Sequence, residues 1–312
     1  MERARPIPFG NLGCTFDGDW DINDAMAMAN ADYIIEQQDI CLLDGTIVPN
    51  KKANVIAGTN TVLGIVTNRW REVQPYMVKP IIRQLKETLG DRMRINNIGY
   101  TRDFRRMWIV CELPVVNIGG DEVIQYMIIS NAFDGSGSVK VILTPIRIVC
   151  NNALTVALNN ATRIWSIRHT GFIENKLDQA SKSIMLAEHY MTELDEYAQV
   201  MINYELTDKV LSAILDKCFK IGPKASEREI RTLTEKREQF MECYWMNDID
   251  RFRGTAWGAL NAMADFVSHE TPARRTRSFE EKRWTALMDG TTLIDKMVKE
   301  LNTVVASDGI VV

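Results

Sequence analysis

Apolar residues recur with helical spacing between residues 76 and 89. One side of that segment carries Val78, Ile81, Ile82, Leu85 and Leu89. Pro80 fits only the first turn of a helix, so the helix can begin as late as Lys79, and Gly90 is a suitable C-terminal stop. A shorter helix is predicted around Ala25 and Met26, with Asp21 or Asn23 as its cap.

The centre of the chain changes to strand patterns that are rich in β-branched residues. The predicted strands are Val62–Val66, Ile95–Tyr100, Met107–Leu113, Val123–Ser130 and Val139–Val149. Glycine-containing turns at 117–120 and 134–137 suit antiparallel hairpins, and Pro145 is typical of a bulge or an edge. We therefore predict an antiparallel sheet of at least three sequential, hairpin-connected strands.

From Gly171 onward the chain returns to helical periodicity. Apolar residues from Ile173 to Met201 advance by alternating fours and threes, a heptad pattern over four repeats. The buried face of a long helix explains this stripe, and a self-association surface is the alternative. Further helices are predicted at 209–220, 226–246, 255–268 and 279–303, the last interrupted at Gly290.

The predicted fold class is α+β, with a central antiparallel sheet, flanking helices and an all-helical C-terminal half. We expect three parts: an acidic helical segment at 1–60, a β-rich core with a basic surface at 61–170, and a helical region at 171–312.

Composition and the cysteine pattern limit the class of protein. Hydrophobic residues make 46% and charged residues 25% of the 312, which is typical of a globular chain. The first ten residues lead into an acidic stretch, and apolar runs such as Met107–Cys111 are far too short to span a bilayer, so neither a signal peptide nor a membrane segment is expected. The six cysteines form no CxxC pair and the three histidines stand apart. The sequence thus predicts reduced thiols in a cytoplasmic protein, with no metal and no cofactor.

Charge is strongly segregated along the chain although the formal net charge is only −4. Residues 1–50 hold 2 basic and 9 acidic side chains, whereas residues 69–106 hold 10 basic and 4 acidic ones. A basic middle between acidic ends indicates contact with a polyanion. Packing of the acidic ends on the basic middle is the alternative.

Aromatic residues interleave with this basic segment, as they do in proteins that stack on the bases of a single strand. Trp70 lies between two arginines, and Tyr100 and Phe104 lie among three more, while Trp165 precedes another. The candidate phosphate contacts are Arg69, Arg71, Arg102, Arg105, Arg106, Lys140, Arg147 and Arg168. Trp70 and Trp108 are the candidate stacking residues, although Trp108 and Trp165 can instead point into the core.

A second group of polar residues is a candidate small-molecule pocket. Its members are Asp134, Ser136, Asn151, Asn152, His169 and Thr170. The Gly- and Ser-rich run at 130–138 can present backbone N–H groups to a phosphate, but it lacks the Lys-Ser/Thr of a P-loop and also suits a plain hairpin loop.

Two side chains near this pocket need particular environments. Arg147 lies in an apolar strand and needs a partner there, either a carboxylate such as Asp134 or a ligand phosphate. His169 follows Arg168, which disfavours the imidazolium, so we expect a neutral, hydrogen-bonded histidine. Contact with a ligand and acid–base catalysis are the alternatives.

Four segments of the sequence resemble the phage/plasmid-related family of unknown function. They are Leu63–Pro75, Ile129–Leu154, Ser166–Gly171 and Gly254–Glu270. The similarity runs from about residue 60 to 300 with the motifs in the expected order. It implies a protein of mobile elements in a bacterial host cell, where recombination and replication proteins are common. The central strands and following helix are similar in outline to phage single-strand annealing proteins.

These observations lead to one hypothesis and two alternatives. The first is a DNA-metabolism protein that binds single-stranded DNA and promotes annealing as a homo-oligomer, without bond-making chemistry and without a membrane. The second is an enzyme acting on a nucleotide or other anionic small molecule, which requires the candidate pocket, Arg147 and Arg168 to converge. The third is a virion or host-interaction protein that assembles through the heptad helix.

Overall fold

The computed structural model describes residues 12–147, 153, 156, 158, 163–170, 183–270, 279–289 and 292–310. The strands are β1 Cys14–Thr15, β2 Ile35–Cys41, β3 Ile47–Ile56, β4 Val62–Thr67, β5 Arg94–Tyr100, β6 Arg106–Ile118, β7 Asp121–Ala132, β8 Val139–Arg147 and β9 Ile164–Ile167. The helices are α1 Ile22–Met28, α2 Lys79–Leu89, α3 Ser183–Asn203, α4 Asp208–Cys218, α5 Glu227–Tyr244, α6 Ala256–Asp265, α7 Phe279–Asp289 and α8 Thr292–Ser307. This confirms the α+β class and the helical C-terminal half.

The strands form two antiparallel sheets. The large sheet has six strands in the order β1-β5-β6-β7-β8-β9, and the small sheet has three in the order β2-β3-β4. The turn between β6 and β7 contains Gly119 and Gly120, both with positive φ, as the hairpin prediction requires. Pro145 pairs with Gln125 of β7 and lies beyond Ile142, the last residue of β8 that pairs with β9, while the adjacent Ile146 forms an isolated antiparallel bridge with Ala153.

Apolar side chains alternate between the two faces of the large sheet. One face, with Met107 and Ile109 among its residues, belongs to the main core together with apolar residues of α2, α3 and α6. The other face carries Trp108 and Val110, and Trp284 of α7 packs there in a second cluster. Because both faces are covered, strands β6 to β8 are nearly continuously apolar.

The helix boundaries follow the capping signals of the sequence. Asp21 caps α1 by accepting a hydrogen bond from the backbone N–H of Asn23, and α2 begins at Lys79 and ends before Gly90. Ser226 caps α5 by accepting from the N–H of Glu229 at 3.3 Å. The predicted break at Gly290 lies between α7 and α8 and outside the described residues.

The heptad stripe is the buried face of α3 over the residues whose side chains are described. Ala187, Met191, Leu194, Ala198 and Met201 are all buried. The first part of the stripe, from Ile173 to Ala180, lies outside the described residues. The described part therefore contributes to the core, as the first interpretation holds.

The small sheet spans the boundary expected at residue 60, because β2 and β3 precede it and β4 follows it. The sequence pattern did not predict β2 or β3. Glu36, Gln37, Gln38 and Asp39 place polar side chains on both faces of β2, so no apolar alternation marks it as a strand.

The acidic N-terminal segment packs partly on the basic middle. Lys86 of α2 forms an ion pair with Asp19 at 2.5 Å, while Lys79 and Arg83 donate hydrogen bonds to Asn23. Three of the ten cations in the basic segment are thus bound by the N-terminal segment. Within the described ranges, none of the helices combines the length and apolar composition needed to cross a bilayer.

Candidate nucleic-acid interface

The topology brings four basic segments to one end of the large sheet. Because its strands are antiparallel, the β5–β6 turn, the β7–β8 loop and the C-terminus of β9 all lie at that end. The segment after β4 joins them, since Arg71 N–H donates to the carbonyl oxygen of His169 at 2.8 Å. We call this region the basic end; its cations are Arg69, Arg71, Arg102, Arg105, Arg106, Lys140 and Arg168.

Five of these guanidinium groups are not neutralised by the protein. In the described part of the chain, no hydrogen bond or ion pair involves the side chains of Arg69, Arg71, Arg102, Arg106 and Arg168. Arg105 contacts Asp103 at 3.3 Å, with both side chains about half exposed, and Lys140 lies half-buried on β8 opposite Ser166. The four segments 68–72, 101–106, 134–140 and 165–170 hold seven basic and three acidic side chains.

Several arginines elsewhere in the described part of the chain are neutralised by carboxylates. Ion pairs join Arg94 to Glu112, Arg237 to Asp216, Arg253 to Asp250 and Arg251 to Asp121. The basic end is therefore a local concentration of positive charge on a protein whose net charge is −4, and five of its arginines have no ion-pair partner among the described residues.

Trp70 and His169 lie beneath this surface and not on it. Their rings stack at 4.5 Å with an interplanar angle of 13°, and both side chains are buried. His169 Nδ1 donates to the carbonyl oxygen of Arg71 at 3.0 Å, while its Nε2 has no hydrogen-bond partner among the described residues. Burial lowers the pKa of His169 below its ordinary value, so the neutral form is favoured, as expected, although burial and not Arg168 is the cause. Trp70 is too enclosed to stack on a base.

Trp108 is fully buried, which corrects its assignment as a stacking residue. Its Nε1 donates to Asn97 Oδ1 at 2.8 Å, and its ring lies 4.7 Å from that of Trp284. The aromatic side chains that remain accessible at the basic end are Tyr100 and Phe104, which are half-buried and stack on each other at 4.5 Å. The half-buried Trp165 lies on the edge strand β9.

Arg147 is an internal ion-pair residue at the opposite end of the large sheet. It is 1% exposed, and its Nε and Nη2 approach Asp121 Oδ2 at 2.7 and 2.5 Å. Its Nη2 also donates to the carbonyl oxygen of Asp248 at 3.2 Å. Arg147 lies seven positions after Lys140 along β8, which is roughly 23 Å of strand. Arg147 therefore cannot join the basic end, and its partner is Asp121 instead of Asp134.

The candidate small-molecule pocket is only partly assembled. Asp134 accepts hydrogen bonds from the backbone N–H and the hydroxyl of Ser136 at 2.9 and 2.6 Å, which closes the β7–β8 hairpin loop. His169 and the exposed Thr170 lie at the same end of the sheet, after β9. Asn151 and Asn152 lie outside the described residues. Within the described ranges, no three His, Cys, Asp or Glu side chains are grouped to hold a metal ion.

Two features of the site were missed at the level of sequence. The first is the ion pair between Arg147 and Asp121. The turn at Gly119–Gly120 places Asp121 at the start of β7, so the register of the hairpins is the signal that could have suggested this pair. The second is the stack of Trp70 on His169, which joins segments almost one hundred residues apart and has no local signal.

A comparison with models of known protein families identifies the family of the chain. The family model for a domain of unknown function, DUF932, matches residues 62–288. The chain belongs to the DUF932 family. No curated protein and no solved structure matches it. The DUF932 range begins at the first residue of β4 and ends inside α7, so it contains every segment of the basic end but neither β2 nor β3.

Proposed function

We propose that this DUF932 protein binds single-stranded DNA across the basic end, as a protein of phage or plasmid DNA metabolism. Binding through the sugar-phosphate backbone leaves the bases accessible, so that two bound strands can pair. The function needs no bond-making step.

The observation that carries the proposal is the group of five guanidiniums that have no hydrogen-bond or ion-pair partner in the part of the chain that the structure describes. Exposed cations that gather on one surface repel each other, and a polyanion relieves that repulsion with release of its counterions. The half-buried rings of Tyr100 and Phe104 stack on each other, and Phe104 lies between Arg102 and Arg105 in sequence, which suits stacking on bases beside phosphate contacts. The resemblance to phage/plasmid-related sequences supports the same context.

The enzyme hypothesis has less support. It requires Arg147 to meet Asp134 and His169, but Arg147 is tied to Asp121 at the other end of the sheet. The described part of the heptad stripe is buried, so it offers no assembly surface for the third hypothesis.

Fluorescence anisotropy with a labelled oligonucleotide tests the proposal. We expect micromolar or tighter binding at ~50 mM salt. The triple substitution Arg69→Gln, Arg71→Gln and Arg168→Gln should weaken binding at least about tenfold, because three exposed charge contacts each contribute roughly 0.5–1 kcal/mol.

The matched control removes the same charge from another surface. Lys224→Gln, Arg228→Gln and Arg231→Gln change three exposed cations on or near α5 and should leave affinity within about twofold. Absence of binding by the unmodified protein, or equal losses in both triple variants, contradicts the proposal. A duplex competitor that displaces the labelled strand at equal concentration contradicts the preference for single strands.

A further inference from the structure

The turn of the β2–β3 hairpin exposes an unusual set of apolar side chains. Leu43 is fully exposed, and Leu42 and Ile47 are 57% and 56% exposed. We call residues 41–47 the hairpin tip. Each of them is exposed, and their sequence, CLLDGTI, contains one charged side chain, Asp44, and no lysine or arginine. Exposed apolar side chains that lie together in this way mark an interaction surface.

The geometry of the turn does not account for the leucines. Asp44 Oδ1 accepts a hydrogen bond from the backbone N–H of Thr46 at 2.9 Å, and Gly45 supplies the positive φ. These polar and glycine residues close the turn, so Leu42 and Leu43 have no role in its backbone conformation.

The hairpin tip projects from the side of the small sheet where the chain leaves β4 for the basic end. Lys51 of β3 pairs with Thr67, the last residue of β4, and β3 continues past this pair by four residues, about 13 Å of strand. Asn68 Nδ2 donates to Asn50 Oδ1 at 3.2 Å. Because Asn68 immediately precedes Arg69, the foot of the hairpin tip lies beside the basic end.

Both strands of the hairpin are fastened to the rest of the molecule. Asn54 of β3 donates to the carbonyl oxygen of Phe133, next to the β7–β8 loop, at 2.6 Å. The amide side chain of Gln74 exchanges two hydrogen bonds with the backbone of Ile35 in β2, at 2.9 and 2.8 Å. These contacts hold the hairpin against segments that carry the arginines of the basic end.

Positive charge continues from the basic end to the foot of the hairpin tip. Lys51 is exposed, and within the described ranges its ammonium group forms neither a hydrogen bond nor an ion pair. The adjacent Lys52 lies on the other face of β3 and pairs with Asp39 at 2.6 Å. A DNA strand that contacts Arg69 can therefore place a further phosphate at Lys51, which brings its bases to the hairpin tip.

Given that the basic end binds single-stranded DNA as proposed above, we propose that the hairpin tip is a wedge for a single-strand/duplex junction. Leu42 and Leu43 pack against the terminal base pair where the bound strand enters a duplex. Leucine and isoleucine are among the side chains that proteins insert against base steps. The tip holds no cation for phosphates, whereas the face of a terminal base pair is apolar, so contact removes both surfaces from water.

Fluorescence anisotropy at ~50 mM salt tests the wedge by comparing a labelled single strand with a duplex that carries the same strand as a tail. The tailed duplex should bind at least about fivefold more tightly, a gain that partial burial of two leucine side chains supplies. The tip variant Leu42→Ser with Leu43→Ser should lose this preference. Its affinity for the plain strand should stay within about twofold, because no charge changes.

Two further variants control for this result. Leu42→Met with Leu43→Met keeps apolar side chains at the tip and should keep the preference for the tailed duplex. Ile221→Ser with Ile230→Ser removes two exposed apolar side chains elsewhere and should also keep it. Circular dichroism of each variant verifies folding.

The exposed thiol of Cys41 reports where the hairpin tip lies on the DNA. A base at the duplex end that carries an activated disulfide should form a mixed disulfide with Cys41, and Cys41→Ser should abolish the product. The same group on the base farthest from the duplex, at the free end of the tail, should react much less.

The outcomes separate this wedge from the proposed function. A tailed duplex that binds no more tightly than the plain strand, a tip variant that keeps the preference, or equal trapping at both positions overturns the wedge, while plain-strand binding still supports the proposed function. Absence of plain-strand binding contradicts both. If light scattering shows that the tip variant changes only the number of associated chains, the tip is a contact between copies and the wedge is overturned.

Discussion

At the scale of single residues, the stack of Trp70 on His169 decides where two arginines lie. Arg71 exchanges two hydrogen bonds with His169, and Arg69 and Arg168 flank the stacked rings in sequence. Because the two rings are buried, they fix the backbone beside them, and the neighbouring Arg69, Arg71 and Arg168 remain exposed at the surface. These two aromatic residues therefore act as support for the interface and not as its contacts.

Burial of His169 makes stability depend on pH. Its pKa is lowered from 6.5, so the unfolded chain binds the proton more readily than the folded one. The contribution of His169 to the free energy of unfolding is complete above pH 6.5. It is lost as pH falls toward the pKa of His169 in the folded state, and the free energy of unfolding then changes by at most about 1.4 kcal/mol per pH unit. His169→Gln should remove that slope, as measured by urea unfolding at a series of pH values between neutral and mildly acidic.

The exposed His189 of α3 provides the control for this experiment. His189→Gln should retain the pH dependence of the unmodified protein. If His169→Gln loses stability between neutral and acidic pH as steeply as the unmodified chain, another group is responsible.

At the scale of elements, β4 and the β7–β8 loop approach each other more closely than most side chains allow. A Cβ atom at Gly64 would lie 2.6 Å from the Cα and the carbonyl oxygen of Asp134. Asn54 Nδ2 also donates to the carbonyl oxygen of Phe133 at 2.6 Å, so the small sheet is fixed to this loop. The absence of a side chain at residue 64 lets the two sheets meet.

Gly64→Ala should therefore destabilise the fold by roughly 1–3 kcal/mol, because backbone atoms must move apart to admit the methyl group. Thermal unfolding measures the loss as a decrease in Tm of several degrees. Gly222→Ala is the matched control, since no atom lies within 4 Å of the added Cβ and its φ is not positive. Equal Tm values for the two variants would show that the contact is not tight in solution.

Local signals predicted most of the elements but not their long-range contacts. Capping residues and periodicity located α2 and α5, and turn chemistry located the central hairpins, because those signals act within a few residues. The strand β2 was missed because a small sheet with polar residues on both faces shows no alternation.

For the site, the sequence grouped Arg147 with the arginines of the basic end, which is wrong, and it left open whether Trp108 stacks on bases or points into the core. Trp284 covers the face of β6 that carries Trp108, and no local pattern reveals the position of Trp284. The partner of Arg147 likewise depends on a long-range feature, because the pairing register of two successive hairpins brings Asp121 next to Arg147.

At the scale of the whole molecule, charge is arranged so that attraction to a polyanion is local. The net charge of −4 disfavours binding over the surface as a whole, whereas the basic end concentrates five arginines that form no ion pair within the described residues. Binding there should respond steeply to salt.

If about five phosphates are contacted, a logarithmic plot of affinity against salt concentration should have a slope near −3.5, from about −0.7 per phosphate for single strands. The triple glutamine variant of Arg69, Arg71 and Arg168 should reduce the magnitude of that slope by about 2. Anisotropy titrations at several salt concentrations measure both values. A slope near zero would show that binding does not depend on the guanidiniums.

The packing of Trp284 against Trp108 has a consequence for synthesis of the chain on the ribosome. Strand β8 is complete at residue 147, but the helix that shields the second face of its sheet follows more than a hundred residues later. At ~5–20 residues per second, the nascent sheet waits on the order of ten seconds with tryptophan and valine side chains uncovered. During that interval the growing polypeptide depends on chaperones or on transient contacts to avoid aggregation.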